Sequence, residues 1–286
     1  MPKILEKTVT GLFYVLPHHL ISRLVLRLSH SRNRWLSQFL IHNYARWFKL
    51  DMSEAREPSL ANYPSLNALF TRALRPDARP LAQPDTTLVS PADGVLSEYG
   101  QIEGERLLQA KGYHYSLTKL FADFHDLAEP FTDGQYATIY LSPRDYHRLH
   151  MPLRGKLTDQ IYIPGRLFSV SPMTTRNIPE IFTRNERLVC LFDSDIGRLA
   201  LVMVGAINVS AMETVWAGPV TPTHEKQPRH TRYDGNMQLE RGAEMGRFNM
   251  GSTIIVLTEK NRLEWLDSLQ PGLPIRLGNA LAHPIQ

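Results

Sequence analysis

The chain has 286 residues, 43% of them hydrophobic, with one cysteine, Cys190. That length supports one large domain or two small ones with a proper core. The lone cysteine excludes an internal disulfide and fits a reducing compartment. Net charge is +4, but residues 1–50 hold eight basic side chains against Glu6 alone, a local +7, so the other 236 residues carry −3. Such a basic segment points to an anionic surface as partner; no nucleic acid is expected.

The N-terminal stretch "MPKILEKTVTGLFYVLPHHL" lacks a clean secretory core and cleavage site, because Pro17, His18 and His19 directly follow the short apolar run. No run of 18 apolar residues occurs, so a transmembrane helix is not expected. Two stretches then have helical period. In "LISRLVLRLS", Leu20, Ile21, Leu24, Val25 and Leu28 share a face opposite Arg23 and Arg27. In "RWLSQFLIHNYARWFKL", Trp35, Leu36, Phe39, Leu40, Tyr44, Trp47 and Phe48 share a face opposite Arg34, Gln38, His42, Arg46 and Lys49. Amphipathic helices ordinarily pack on a domain. An apolar side rich in Trp and Phe, backed by a basic side nearly free of acid, fits a helix lying in a membrane interface.

A third helix is predicted from about Ser65 to Leu74, with Ser65 as N-cap, before the prolines of "RPDARPLAQP" break regular structure. From Leu88 onward short strand-like runs dominate: "GVLSEYG", "ATIYLS", "RLVCLF", "LALVMVGAINVSAMETVWAG" and "STIIVL". A short helix is expected at about Arg262 to Ser268, followed by a loose end. The fold class is therefore α+β: N-terminal amphipathic helices, then a mainly antiparallel β body of sandwich or barrel type. The expected division is a helical, membrane-associating region over 1–75 and a β-rich catalytic domain over 76–286.

Three places can carry chemistry. "SPADG" holds Asp93 in what is otherwise an ordinary turn. "LSPRDYHRLHMP" holds Asp145, His147 and His150 just after a strand. His-x-x-His is half of a zinc set, but no third ligand accompanies it, so no metal is expected. Cys190, inside the apolar run "RLVCLFD", is expected to be a buried structural thiol. Gly251-Ser252-Thr253 precedes the apolar run Ile254 to Leu257. An Asp, a His and a Ser suggest a triad, and a serine hydrolase using Asp93, His150 and Ser252 is one reading. The nucleophile elbow Gly-x-Ser-x-Gly is absent, however.

A serine directly after glycine suggests another electrophile, the chain's own peptide bond. Ser252 Oγ can reach the Gly251 carbonyl carbon through a five-membered ring, and glycine leaves that carbonyl unshielded. An N-to-O acyl shift, elimination to dehydroalanine, and addition of water with loss of ammonia would cut the chain and convert Ser252 to a pyruvoyl group. A base is needed twice, a task suited to histidine.

"SPADG", "KGYHYSL", "YLSPRDYHRLHMP", "RNERLVCLFD", "ETVWAG" and "GRFNMGST", in this order and spacing, resemble the bacterial phosphatidylserine decarboxylases over nearly the whole chain. One departure is Met250, where that family usually has leucine; the swap keeps volume and apolarity. The resemblance implies that Asp93 orients, that His150 is the base, and that Ser252 is the nucleophile and then the pyruvoyl precursor. It implies that His147 acts in decarboxylation itself, near the headgroup or as proton donor. It further implies self-cleavage between Gly251 and Ser252 into pieces 1–251 and 252–286 that stay paired non-covalently, and a Schiff base between pyruvoyl and phosphatidylserine. A homodimer, peripheral on the cytoplasmic side of the inner membrane, is also implied. A non-catalytic lipid-binding module is the remaining alternative.

Overall fold

The structure, a computed structural model, describes residues 6, 10–11, 13–110, 112–207, 211–221, 223, 225–249 and 252–285, without the side chain of Ser252. Two helices lead: α1, His18–Ser29, and α2, Arg34–Phe48. Asn33 starts α2 by accepting a hydrogen bond from the Leu36 amide. A short helix α3, Leu66–Phe70, follows, and Ser65 caps it from the Ala68 amide as expected. It ends four residues earlier than predicted. The chain beyond Phe70 turns back on residues 54–56: Leu74 bridges Ala55, and the Arg56 amide donates to the Ala73 carbonyl. Those bonds compete with continuing the helix.

In chain order the strands are β1 Leu88–Val89, β2 Gly94–Gln101, β3 Arg106–Ala110, β4 Tyr113–Ser116, β5 Gln135–Leu141, β6 Arg148–His150, β7 Gly155–Ile163, β8 Arg187–Ser194 and β9 Gly197–Val204. They continue as β10 Met212–Thr214, β11 Gly218–Pro219, β12 Arg229–Arg232, β13 Gln238–Leu239, β14 Glu244–Phe248, β15 Ser252–Thr258, β16 Leu263–Trp265, β17 Leu273–Ile275 and β18 Ala280–Pro284. The largest sheet has the order β12-β7-β8-β9-β15-β5-β2-β17, with β13 also on β7. A four-stranded sheet runs β11-β10-β14-β6 and a three-stranded one β1-β18-β16. Every ladder between these strands is antiparallel, and the large sheet does not close into a barrel. The three sheets share one apolar core, which includes Cys190; burial pushes its thiol pKa up. This is the α+β architecture expected from the sequence.

β15 is the middle of that core. Ile254, Ile255, Val256 and Leu257 are fully buried, and β5 and β9 flank the strand. A strand covered on both faces has no use for alternation, so its sequence is a continuous apolar run. β2 lies close to β5 at Gly94, where a Cβ would stand 2.3 Å from the Tyr140 carbonyl oxygen.

Two expectations fail at the C-terminus. Residues 263–265 form a strand, not a helix, because Leu263 and Trp265 pair with Pro284 and Ala282 of β18. The end is not loose. β17 pairs with β2, and β18 with β1.

The helices form a second, smaller core from Ile41, Tyr44, Tyr63, Leu66, Leu69 and Phe70. α1 turns His18, Ser22 and Ser29 inward, leaving Leu20, Leu24 and Leu28 exposed. α2 buries Ser37, Ile41 and Tyr44, while Trp35, Phe39 and Trp47 are 91%, 66% and 75% exposed. The apolar stripe predicted on each helix therefore lies largely outside the protein.

Candidate active site

The site is assembled where two sheets exchange the chain. β5 ends at Leu141, the register partner of Ser252 at the start of β15. Ser142 then donates both its amide and its hydroxyl to Asp145 Oδ2, each at 2.7 Å. That turn delivers Tyr146 and His147 and leads into β6, which pairs with β14 through Arg148 with Arg247 and His150 with Glu244. β14 ends at Phe248, whose amide donates to the His147 carbonyl at 3.0 Å. Met250 and Gly251 fall between β14 and β15 and lie outside the described residues, as does the Ser252 side chain. His147, at the end of the turn, and His150, on β6, thus lie beside the segment that runs into Ser252.

His147 is fully buried. Its Nδ1 is 2.8 Å from the Asp145 carbonyl, which can only accept, so Nδ1 carries the hydrogen and Nε2 the lone pair. Nε2 has no partner among the described residues. The ring lies on Phe70 with centroids 3.9 Å apart. Burial, reinforced by the nearby charge of Arg72, pushes the imidazole pKa down to about 3.

His150 is half-buried and held the same way. Nδ1 donates to the Gly242 carbonyl at 2.8 Å, and Tyr146 Oη donates to Nε2 at 3.1 Å. Burial lowers this pKa too, opposed by the Gly242 bond and by the charges of Glu244 and Asp93. Burial also pushes the Tyr146 phenol up to about 12, so it remains a donor. Each histidine is therefore a neutral imidazole at pH 7, with Nε2 as its basic atom.

Asp93 sits at the mouth of β2 but does not hydrogen-bond His150. Its carboxylate accepts from Arg79 Nε at 2.8 Å, from Arg79 Nη2, and from the Leu277 amide at 2.9 Å. Arg79 also pairs with Glu54 at 2.9 Å. The bond that orients His150 goes to the Gly242 carbonyl instead, and Asp93 acts on His150 through its charge. Sequence reasoning missed Arg79, Tyr146, Phe70 and Gly242. Tyr146 lay inside a quoted motif, four residues before His150; a backbone carbonyl such as Gly242 leaves no mark on a sequence.

Two cavities border the site. One, of about 400 Å³, is walled by Trp47, Phe48, Tyr44, Phe70, Leu141 and Val170 and is mostly apolar. The other, of about 500 Å³, is polar and takes in Asp93, Asp145, Tyr146, Arg72, Arg79 and Arg144. Phe70 and Leu141 place the apolar cavity against both His147 and the start of β15.

Residues 66–283 match the family model described as phosphatidylserine decarboxylase, and residues 10–49 match a second model described as PSD. A phosphatidylserine decarboxylase proenzyme of Bordetella pertussis is 50% identical over 275 residues, covering 95% of this chain and 92% of its own. Proenzymes of the same description from Pseudomonas aeruginosa strain LESB58 (50% over 277 residues, 96% of each chain) and Ectopseudomonas mendocina (48% over 274 residues, 94% and 96%) are similar over almost the same span. With the match running nearly end to end, the chain belongs to the phosphatidylserine decarboxylases and is a carboxy-lyase.

Proposed function

We propose that this chain is made as a proenzyme, cuts itself between Gly251 and Ser252, and uses the resulting pyruvoyl group to convert phosphatidylserine to phosphatidylethanolamine and CO₂. The observation that carries the reading is the pair of neutral imidazoles with Nε2 lone pairs, held on the segment that starts opposite Ser252. His150 is the base for processing. It accepts first the Ser252 hydroxyl proton and then, after the acyl group has moved to oxygen, the α-proton whose loss opens the chain. Tyr146 is its hydrogen-bonded partner, ready to stabilise the lone pair when the ring is not in use. Asp93, clamped by Arg79, supplies a fixed negative charge that favours the imidazolium formed during each transfer.

The pyruvoyl carbonyl supplies an electrophile for the substrate amine and a sink for the electrons that CO₂ leaves behind. The surroundings fit such a group: a buried strand end, an apolar wall, and an unpartnered His147 Nε2. His147 is the proton-handling group of turnover. Its Nε2 accepts a hydrogen bond from the substrate amine, and an imidazole with so low a pKa readily gives up any proton it shares to the carbon that loses CO₂. Phe70, packed at a tilt against that ring, excludes water from the departing carboxylate.

The substrate's acyl chains belong to a bilayer, which gives the outward faces of α1 and α2 a purpose. Trp35, Phe39, Trp47, Leu20 and Leu24 form apolar surface that the protein itself leaves uncovered, and basic side chains on the same helices favour anionic lipid. No helix among the described residues is long and apolar enough to cross a membrane; the proposed contact is peripheral, through these outward faces. Trp47 and Phe48 of α2 line the apolar cavity, connecting the interfacial helix to the site.

Intact mass under denaturing conditions tests the reading. Wild type should separate into pieces of 251 and 35 residues, the smaller with a blocked N-terminus, and Ser252→Ala should stay whole and inert. A whole wild-type chain labelled at Ser252 by a fluorophosphonate would instead make it a serine hydrolase.

A further inference from the structure

Arg72, just beyond α3, is 5% exposed, yet only one of its guanidinium nitrogens is engaged: Nη2 donates to the Arg144 carbonyl at 3.2 Å. Nε and Nη1 are enclosed and have no acceptor among the described residues. The carboxylates around it are committed elsewhere, Asp93 to Arg79 and Asp145 to Ser142. Arg79 shows the contrast, since its buried guanidinium is shared between Asp93 and Glu54. A buried cation without a counter-anion is costly, and its persistence points to an anion from outside the chain.

Arg72 borders the polar cavity, two residues from the Phe70 ring that packs against His147, and its charge reaches both His147 and Tyr44. We propose that Arg72 anchors the phosphodiester of the substrate headgroup, using the two guanidinium N–H directions that the protein leaves without acceptors. The inference rests on the proposed decarboxylation at this site. Two anionic groups on the substrate could accept from it. A guanidinium bound to the carboxylate would lose its partner as neutral CO₂ forms, and would hold the ground state more tightly than the transition state. The phosphodiester keeps its charge throughout, so binding there lowers KM without raising the barrier. It also leaves the anchor occupied in the product.

The test uses processed enzyme in nonionic-detergent micelles, with phosphatidylserine as substrate and phosphatidylethanolamine as product inhibitor. Replacing two charge-assisted hydrogen bonds in Arg72→Met should raise KM by about tenfold or more, leave kcat within about threefold, and raise the product's Ki in parallel. Arg72→Lys should recover part of the loss. An uncut Met variant would be replaced by Arg72→Gln, which retains a donor for the Arg144 carbonyl; if neither is cut, Arg72 serves folding and the proposal fails. A rise in KM with an unchanged product Ki and a raised kcat would assign the anchor to the carboxylate and overturn the proposal. An active, cut wild type whose variants keep both constants overturns the anchor alone. An uncut, inert wild type overturns the anchor and the decarboxylation reading together.

Discussion

The burial of His147 makes the fold sensitive to acid in a way that can be isolated. Its folded pKa is about 3 against an ordinary 6.5, with burial as the main cause. Between those values the unfolded chain binds a proton that the folded chain does not, so stability falls as pH falls. By pH 5 the imidazole has cost the folded state about 2 kcal/mol, and by pH 4 about 3 kcal/mol. His147→Asn removes the titration while keeping a donor for the Asp145 carbonyl. Urea unfolding at pH 7.5 and pH 5, in a Ser252→Ala background that keeps the chain whole, gives four midpoints. The Asn variant starts less stable because the ring's contact with Phe70 is lost, but it should lose about 2 kcal/mol less on acidification. His150, whose pKa is also lowered by burial, contributes to both proteins and cancels. Equal acid losses in the two would refute the claim that His147 is held neutral by burial.

The remaining predictions concern the Asp93 clamp and the helices. Asp93→Asn removes one of the two anionic partners of Arg79, leaving Glu54, and should lower unfolding stability by about 2 kcal/mol; an unchanged urea midpoint with cutting abolished would make Asp93 purely chemical. Trp35→Ala with Trp47→Ala should weaken binding to phosphatidylserine-containing vesicles at least about tenfold, since each ring offers about 200 Å² of apolar surface. In flotation assays the double variant should stay with the soluble fraction while its intact mass still shows the cut. Equal flotation with wild type would move the membrane contact elsewhere.

What was legible in the sequence was whatever repeats locally. The apolar periods of α1 and α2 and the β-branched run of β15 appear where expected, as do β2, β5 and β8, because burial of one face or two imposes its own spacing. The direction in which α1 faces was not legible: its period defines an apolar stripe, but not whether protein or bilayer covers it, and here His18, Ser22 and Ser29 turn inward. The expected helix at 262–268 failed because the competitor was β18, some twenty residues downstream, and a local window does not see it. The motif order brought Asp93, His147, His150 and Ser252 into one region. Who hydrogen-bonds whom was decided by Arg79, distant in sequence from the histidines, and by the Gly242 carbonyl.

The supposed loose end matters most for the chemistry. The turn that presents Asp93 takes three bonds from residues downstream of Ser252, beside those from Arg79 to Asp93 and from the His150 amide to the Pro91 carbonyl: the Ser90 amide donates to the Asn279 carbonyl, the Gly278 amide to the Ser90 carbonyl, and the Leu277 amide to Asp93 itself. β17 adds a ladder on β2 that pairs Ile275 with Gly94. A carboxylate framed by residues 275–279 cannot be in place until the C-terminal segment has docked, so proposed processing has to follow folding. After a cut before Ser252, the 35-residue piece would still hold β15 between β5 and β9, β17 on β2 and β18 on β1. Breaking one backbone bond would therefore create a new chain end without freeing the strand that carries it, which is the condition for a catalytic group made from the chain to stay where it was made.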